Sequence, residues 1–198
     1  MPDDAPSPAR LEAFSDGVIA VIITIMVLEI KVPHANGFEG LRQLAPGLLI
    51  YLMSFSFTGI YWLNHQHLAK RVKKAGHMMQ CANLAFLFCL SLLPLGTAYV
   101  VDKELTGFAV AVYATSLLIA ALAFLWFRLS VHRHLNQRGE MQKEDRWGLQ
   151  SHLLSILVYL GSIACASFYP RAVLVVIGLL TFLWTLPNWS VRQARTRE

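Results

Sequence analysis

Charge is scarce in this chain: only 15% of its 198 residues are Asp, Glu, Lys or Arg, while 56% are hydrophobic. That balance excludes an ordinary soluble domain, because a fold of this length leaves much of its surface in water and has too little interior for so much apolar area. Lipid removes the conflict. Cysteine is scarcer still. Cys81, Cys89 and Cys165 are odd in number, fall inside apolar segments and lack metal-ligand spacing, so they read as small buried hydrophobes rather than a disulfide framework. A phosphate-binding glycine loop and a nucleophile elbow are both missing, which argues against an enzyme. The pairs His65/His67 and His132/His134 are two residues apart and point to different helix faces, so neither suits one metal ion. No metal and no cofactor are expected. The first nine residues hold two aspartates and three prolines in place of a basic leader, so a cleavable signal peptide is not expected. Internal repeats, low-complexity tracts and long linkers are absent, which makes residues 1–198 a single membrane domain.

What is present is a series of long apolar runs. A bilayer core needs roughly 20 mostly apolar residues per helix, and six segments qualify: 11–32, 44–68, 79–101, 107–131, 148–169 and 171–189. The breaks between them have physical causes. Pro33, Asn36 and Gly37 close the first run, the basic stretch 70–76 the second, and Asp102 to Glu104 the third. The last run is short and relies on Trp184 and Trp189 as interfacial anchors. This predicts an all-α integral membrane protein of six transmembrane helices.

The 17 Lys and Arg residues give its direction. Arg10, Lys70, Arg71, Lys73, Lys74, Arg128, Arg133, Arg138, Lys143, Arg146, Arg192, Arg195 and Arg197 fall on one side, against Lys31, Arg42, Lys103 and Arg171 on the other. By the positive-inside rule both termini are cytoplasmic, in a multi-pass protein of the cell membrane. The net charge of +5 therefore needs no nucleic-acid partner; topology and attraction to anionic lipid heads account for it.

Polar groups are costly in lipid, so their positions carry the information. The first helix opens with Arg10, then Phe14-Ser15-Asp16-Gly17. Phe14, Val18, Val21, Ile25 and Leu28 recur at spacings of four and three as one apolar seam, beside a small-residue seam of Gly17, Ala20 and Thr24 that permits close helix approach. Periodicity alone shows only the seam, and favours ordinary helix packing over a pore lining. The second helix ends with Trp62, Asn64, His65, Gln66 and His67, and the third begins with His77, Gln80 and Asn83. Antiparallel neighbours bring these groups level with Asp16. Asn64, His65, His67 and Asn83 thus form a candidate interhelical polar cluster, with either a structural role or pH sensing through His65, His67 or His77. A membrane enzyme or redox protein built on His65, His67 and Asp16 is one alternative. A proton-coupled transporter is another, against which stands the lack of a broken helix pair.

The stretch Arg10-x-x-x-Phe14-Ser15-Asp16-Gly17, followed by Ala20, Thr24, Leu28-Glu29 and Val32-Pro33, resembles the signature of the bacterial relatives of the endolysosomal potassium channel. Trp62-x-Asn64-His65 in the second helix and Asn83 with Leu93-Pro94 in the third are similar too, as are the chain's size and six-helix plan. The resemblance implies a homotetramer in the lipid bilayer, with four copies of the first helix lining a central pore for passive potassium flow. It implies a constriction of apolar rings from Val21, Ile25 and Leu28, with Thr24 as the polar residue near the narrow region. Arg10, Phe14, Ser15, Asp16 and Gly17 correspond to the signature network at the cytoplasmic end. A Thr-Val-Gly-Tyr-Gly carbonyl filter does not occur. Val21 stands where a bulkier isoleucine or leucine is common, which implies a wider ring at that level.

Overall fold

The structure, a computed structural model, describes residues 8–72 and 74–185. These form seven helices: α1 (Pro8–Leu28), α2 (Gly37–Ala69), α3 (His77–Ser91), α4 (Leu93–Asp102), α5 (Gly107–Gln137), α6 (Lys143–Cys165) and α7 (Pro170–Thr185). Five spans are long and apolar enough to cross a membrane, with α3 and α4 counted together as one; α7 is a shorter apolar helix. The architecture is therefore all-helical, with six apolar spans.

Several details differ from the sequence expectation, among them longer helices, with α2 beginning at Gly37, α5 running to Gln137 and α6 beginning at Lys143. The third span is two helices, because Pro94 lacks the N–H that would bond back one turn and its ring crowds the preceding turn. The joint falls at Leu92, which caps both pieces. The first helix stops at Leu28, so Val32 lies beyond it, and Lys31 instead makes an ion pair with Asp102 at the end of α4. Cys81 and Cys89 are only partly buried and Cys165 is exposed, all three free. The last span expected from sequence, 171–189, is described as far as Thr185; Trp189, together with Lys73, Arg192, Arg195 and Arg197, lies outside the described residues.

The centre of the bundle is α5, which packs against α2, α3, α4, α6 and α7. Its Tyr113, Leu117, Phe124 and Phe127 are fully buried. The α4–α5 contact is close because Gly96 has no side chain; a Cβ there would sit 2.5 Å from Ser116 Oγ. Beside it, the Ser54 hydroxyl lies 2.9 Å from Thr97 Oγ1 and 3.0 Å from Tyr113 Oη, so this buried polar group is satisfied. At the other extreme is α1, which among the described residues packs chiefly on α2, α3 and α4. Of its span 22% is buried inside the subunit, against 56% for α5. An apolar helix this exposed must face lipid or another chain.

Candidate functional site: the α1 face and its polar anchor

Two faces of α1 have opposite fates. Ser15, Ile19, Ile22 and Met26 turn inward and are buried. Phe14, Gly17, Ala20, Val21, Thr24, Ile25 and Leu28 turn outward and are exposed, Leu28 to 80% and Val21 to 55%. Val18 sits at the margin, half-buried against the core. The outward face has room for a neighbour. A Cβ on Gly17 would meet no atom of the described residues within 4 Å, so nothing among them calls for its small size. The Thr24 hydroxyl is bonded to the carbonyls of Val21 and Ala20, at 2.9 and 3.2 Å, which lowers the cost of placing it on an apolar face. An open groove of about 680 Å³ runs along Phe14, Gly17, Val21 and Ile25 to Ser91 and Pro94 at the α3–α4 joint.

The inward face is fixed at its first turns by hydrogen bonds. Ser15 Oγ donates to the Leu11 carbonyl at 2.8 Å and accepts from Asn83 Nδ2 at 2.9 Å. Asn83 Oδ1 is left facing His65 Nε2 at 2.7 Å. A carboxamide oxygen only accepts, so Nε2 of His65 carries the hydrogen. The His65 ring is stacked against Phe127 and Phe86, with centroids 4.8 and 6.1 Å away. Ser15, His65 and Asn83 thus tie α1, α2 and α3 into one buried chain. Next to it, Trp62 Nε1 donates to Asp16 Oδ1 at 2.8 Å.

The other residues singled out from sequence lie elsewhere. Asn64 turns away from α1 and accepts from Arg128 Nη2 of α5 at 3.1 Å. His67 and His77 are exposed, the latter beside Cys81, and Arg10 is exposed. Asp16 lies on the α1–α2 seam and Asn64 at the α5 seam, so these two candidates are engaged by different helices. Among the described residues, no group of three His, Cys, Asp or Glu side chains is arranged to hold a metal ion. Sequence reasoning assigned no partner to Arg71, which pairs with the buried Asp145 and donates to the Glu140 carbonyl at 2.8 Å. This joins the loop after α2 to the start of α6. The cue was available in Gln142 and Asp145, spaced as a capping box at the start of α6.

With this geometry in place, the chain can be set beside known proteins. The family model described as endosomal/lysosomal potassium channel TMEM175 matches residues 10–94, which span α1 to the start of α4. A potassium channel of Chryseobacterium sp. (strain P1-3) is 37% identical over 185 residues, covering 93% of this chain and 96% of that one. A potassium channel of Streptomyces collinus is 37% identical over 136 residues, covering 64% of this chain and 66% of the other. Among solved structures, the crystal structure of a lysosomal potassium-selective channel TMEM175 homolog from Chamaesiphon minutus superposes with a TM-score of 0.78 at 27% identity, covering 90% of this chain and 96% of that one. The likeness extends through sequence and fold along nearly the whole length, and the chain belongs to the TMEM175 family of multi-pass membrane proteins.

Proposed function

We propose that this chain is the subunit of a passive potassium channel, a homotetramer in the cell membrane whose central pore is lined by four copies of α1. The observation that carries the reading is the outward face of α1, where Val21, Ile25 and Leu28 are exposed on the subunit while Ile19, Ile22 and Met26 hold the opposite face in the core. Family membership supports the potassium assignment, and a channel of this kind is not an enzyme. The whole chain serves as one channel domain, with both termini cytoplasmic by the balance of Lys and Arg.

Apolar rings of four side chains each, stacked along an axis, gate by dewetting when narrow and conduct when helix tilt or rotation widens them. Val21, Ile25 and Leu28 supply those rings. Thr24 lies between them as the polar residue, its hydroxyl oxygen available to a permeating ion. Potassium sheds water more readily than sodium, so such a constriction favours potassium modestly. Arg10, Phe14, Ser15, Asp16 and Gly17 belong to the cytoplasmic mouth. There the Ser15–Asn83–His65 chain and the Trp62–Asp16 bond hold the pore helix against its scaffold.

Ion flux from proteoliposomes tests this. Under a potassium gradient the wild type passes potassium faster than sodium, and Ile25→Asn or Leu28→Asn raises the flux or relaxes the preference. Absence of cation flux from correctly folded tetramers would sink the reading.

A further inference from the structure

A second cavity lies away from α1, between α2, α5, α6 and α7. It is a half-open crevice of about 100 Å³, and among its walls are Asn64, Arg128, Trp147, Ser151, His152 and Trp184. That volume is far above the roughly 10–15 Å³ one water needs. Arg128 is the unusual member. It is 5% exposed; among the described residues its one hydrogen bond runs from Nη2 to Asn64, and its guanidinium lies 5.4 Å from the Phe124 ring centroid. Its Nε is buried with no partner among the described residues, and so is Nε1 of Trp184. Asp145, whose field reaches Arg128, is already engaged by Arg71 and by the Gln142 amide. His152 is tied through Nε2 to the Ala121 carbonyl at 2.9 Å. The guanidinium is also cradled, since a Cβ on Gly148 would lie 2.8 Å from Nη1.

A buried cation without a countercharge is costly, and a guanidinium fork matches an oxyanion through two parallel hydrogen bonds. Here the fork, an indole N–H and the Ser151 hydroxyl line one crevice. The crevice runs along the second half of α2, past Phe124 and Arg128 of α5 and up α6 from Trp147, and Trp147 and Trp184 form a T-shaped pair with centroids 6.0 Å apart among its walls. Indoles favour the boundary between apolar core and polar headgroups. We propose that this crevice binds a phosphate-type oxyanion, with Arg128 as its countercharge. The source is an anionic lipid headgroup or free phosphate, which share this chemistry.

The test is the melting temperature of the full-length protein in non-ionic detergent with three separate additions: dioctanoyl phosphatidylglycerol, dioctanoylglycerol and inorganic phosphate. A ligand held only by the folded state raises the wild-type melting temperature by about 5 °C at roughly 100-fold above its Kd. A rise with phosphatidylglycerol alone supports the headgroup, and an equal rise with inorganic phosphate supports the free anion. Arg128→Gln abolishes the rise. Should that variant not fold, Gly148→Ala decides: the added methyl displaces Nη1 and cuts the rise by at least half. No rise with either phosphate-bearing probe overturns the proposal. So does an equal rise with dioctanoylglycerol, or a rise unchanged in the variants that fold.

Discussion

Trp62 of α2 donates its indole N–H to Asp16 of α1 at 2.8 Å, one residue along from the Ser15 hydroxyl that accepts from Asn83 of α3. Consecutive residues on a helix point about 100° apart. Ser15 and Asp16 can therefore address two neighbouring helices from the same turn, and α1 is held at this end in both position and rotation. The bond to the carboxylate is charge-assisted and half-buried, so Trp62→Phe costs about 1–2 kcal/mol in thermal unfolding. Asp16→Asn keeps an acceptor for the indole and costs less. A loss for Trp62→Phe that is as large in an Asp16→Ala background would show that ring packing, rather than the hydrogen bond, matters at Trp62.

The Ser15–Asn83–His65 chain makes a sharper prediction. Each member is buried, so truncating Asn83 strands polar atoms on both sides. Asn83→Ala costs about 2–4 kcal/mol, and Ser15→Ala about 1 kcal/mol. The double variant falls short of the sum by at least about 0.5 kcal/mol, because the second change removes a group whose partner has already gone. Strict additivity in a double-mutant cycle would mean that the contact contributes nothing of its own.

The level of these residues was legible in the sequence, while their pairing was not. Antiparallel spans return to the same surface, so the end of α2 and the start of α3 had to lie near the start of α1. Which side chains meet depends on rotation about each helix axis, and hydropathy does not carry that angle. His65 and Asn64 are neighbours in sequence, yet one turns to Asn83 and the other to Arg128. The joint at Leu92 was hidden for a different reason: the run is apolar on both sides of Pro94, so no polar signal marked it. Arg128 looked like one more topology charge, because its burial depends on α2, α6 and α7 closing around it.

Arg71 and Asp145 form an ion pair whose side chains are 17% and 2% exposed. Removing one partner from such a pair leaves an uncompensated buried charge. Arg71→Ala is therefore expected to destabilise by about 3 kcal/mol in thermal or denaturant unfolding. Arg71→Met combined with Asp145→Leu recovers all but about 1 kcal/mol, the remainder being the lost cap on the Gln142 amide. If the double replacement is as unstable as the single one, the pair is not the source of the loss.

At the opposite end, Lys31 and Lys103 both bond Asp102 and hold its carboxyl down to about 2 from an ordinary 3.8. The sign follows from the direction. A depressed folded pKa gives stability that is present above 3.8 and lost as pH falls through about 2. All three side chains are open to solvent, so the effect on stability is small and is screened by salt. The clean readout is the carboxyl resonance of Asp102 in a pH titration. Lys31→Ala moves its midpoint up toward 3.8, and a midpoint unmoved in that variant would show that Lys103 alone sets it.

Gly17 separates the fold of the subunit from its assembly. Among the described residues of the subunit a Cβ at this position meets nothing within 4 Å, and the residue lies on the exposed face of α1 with Phe14 and Val21. A leucine there leaves intact every contact that folds the chain, and exchanging glycine for a good helix former favours α1 by roughly 0.5–1 kcal/mol. If α1 faces lipid, Gly17→Leu is silent in both folding and oligomeric state. If four copies of α1 converge, four added isobutyl groups meet at close quarters, where small residues are what let helix backbones approach. The predicted outcome is a helical, soluble-in-detergent subunit that no longer forms the tetramer by light scattering and no longer passes potassium in proteoliposomes. Gly17→Ala, adding one methyl per copy, should assemble with reduced flux. A tetramer unaffected by leucine would remove α1 from the axis even if potassium flux persisted, because no pore-lining helix in a four-fold bundle could absorb that volume unnoticed.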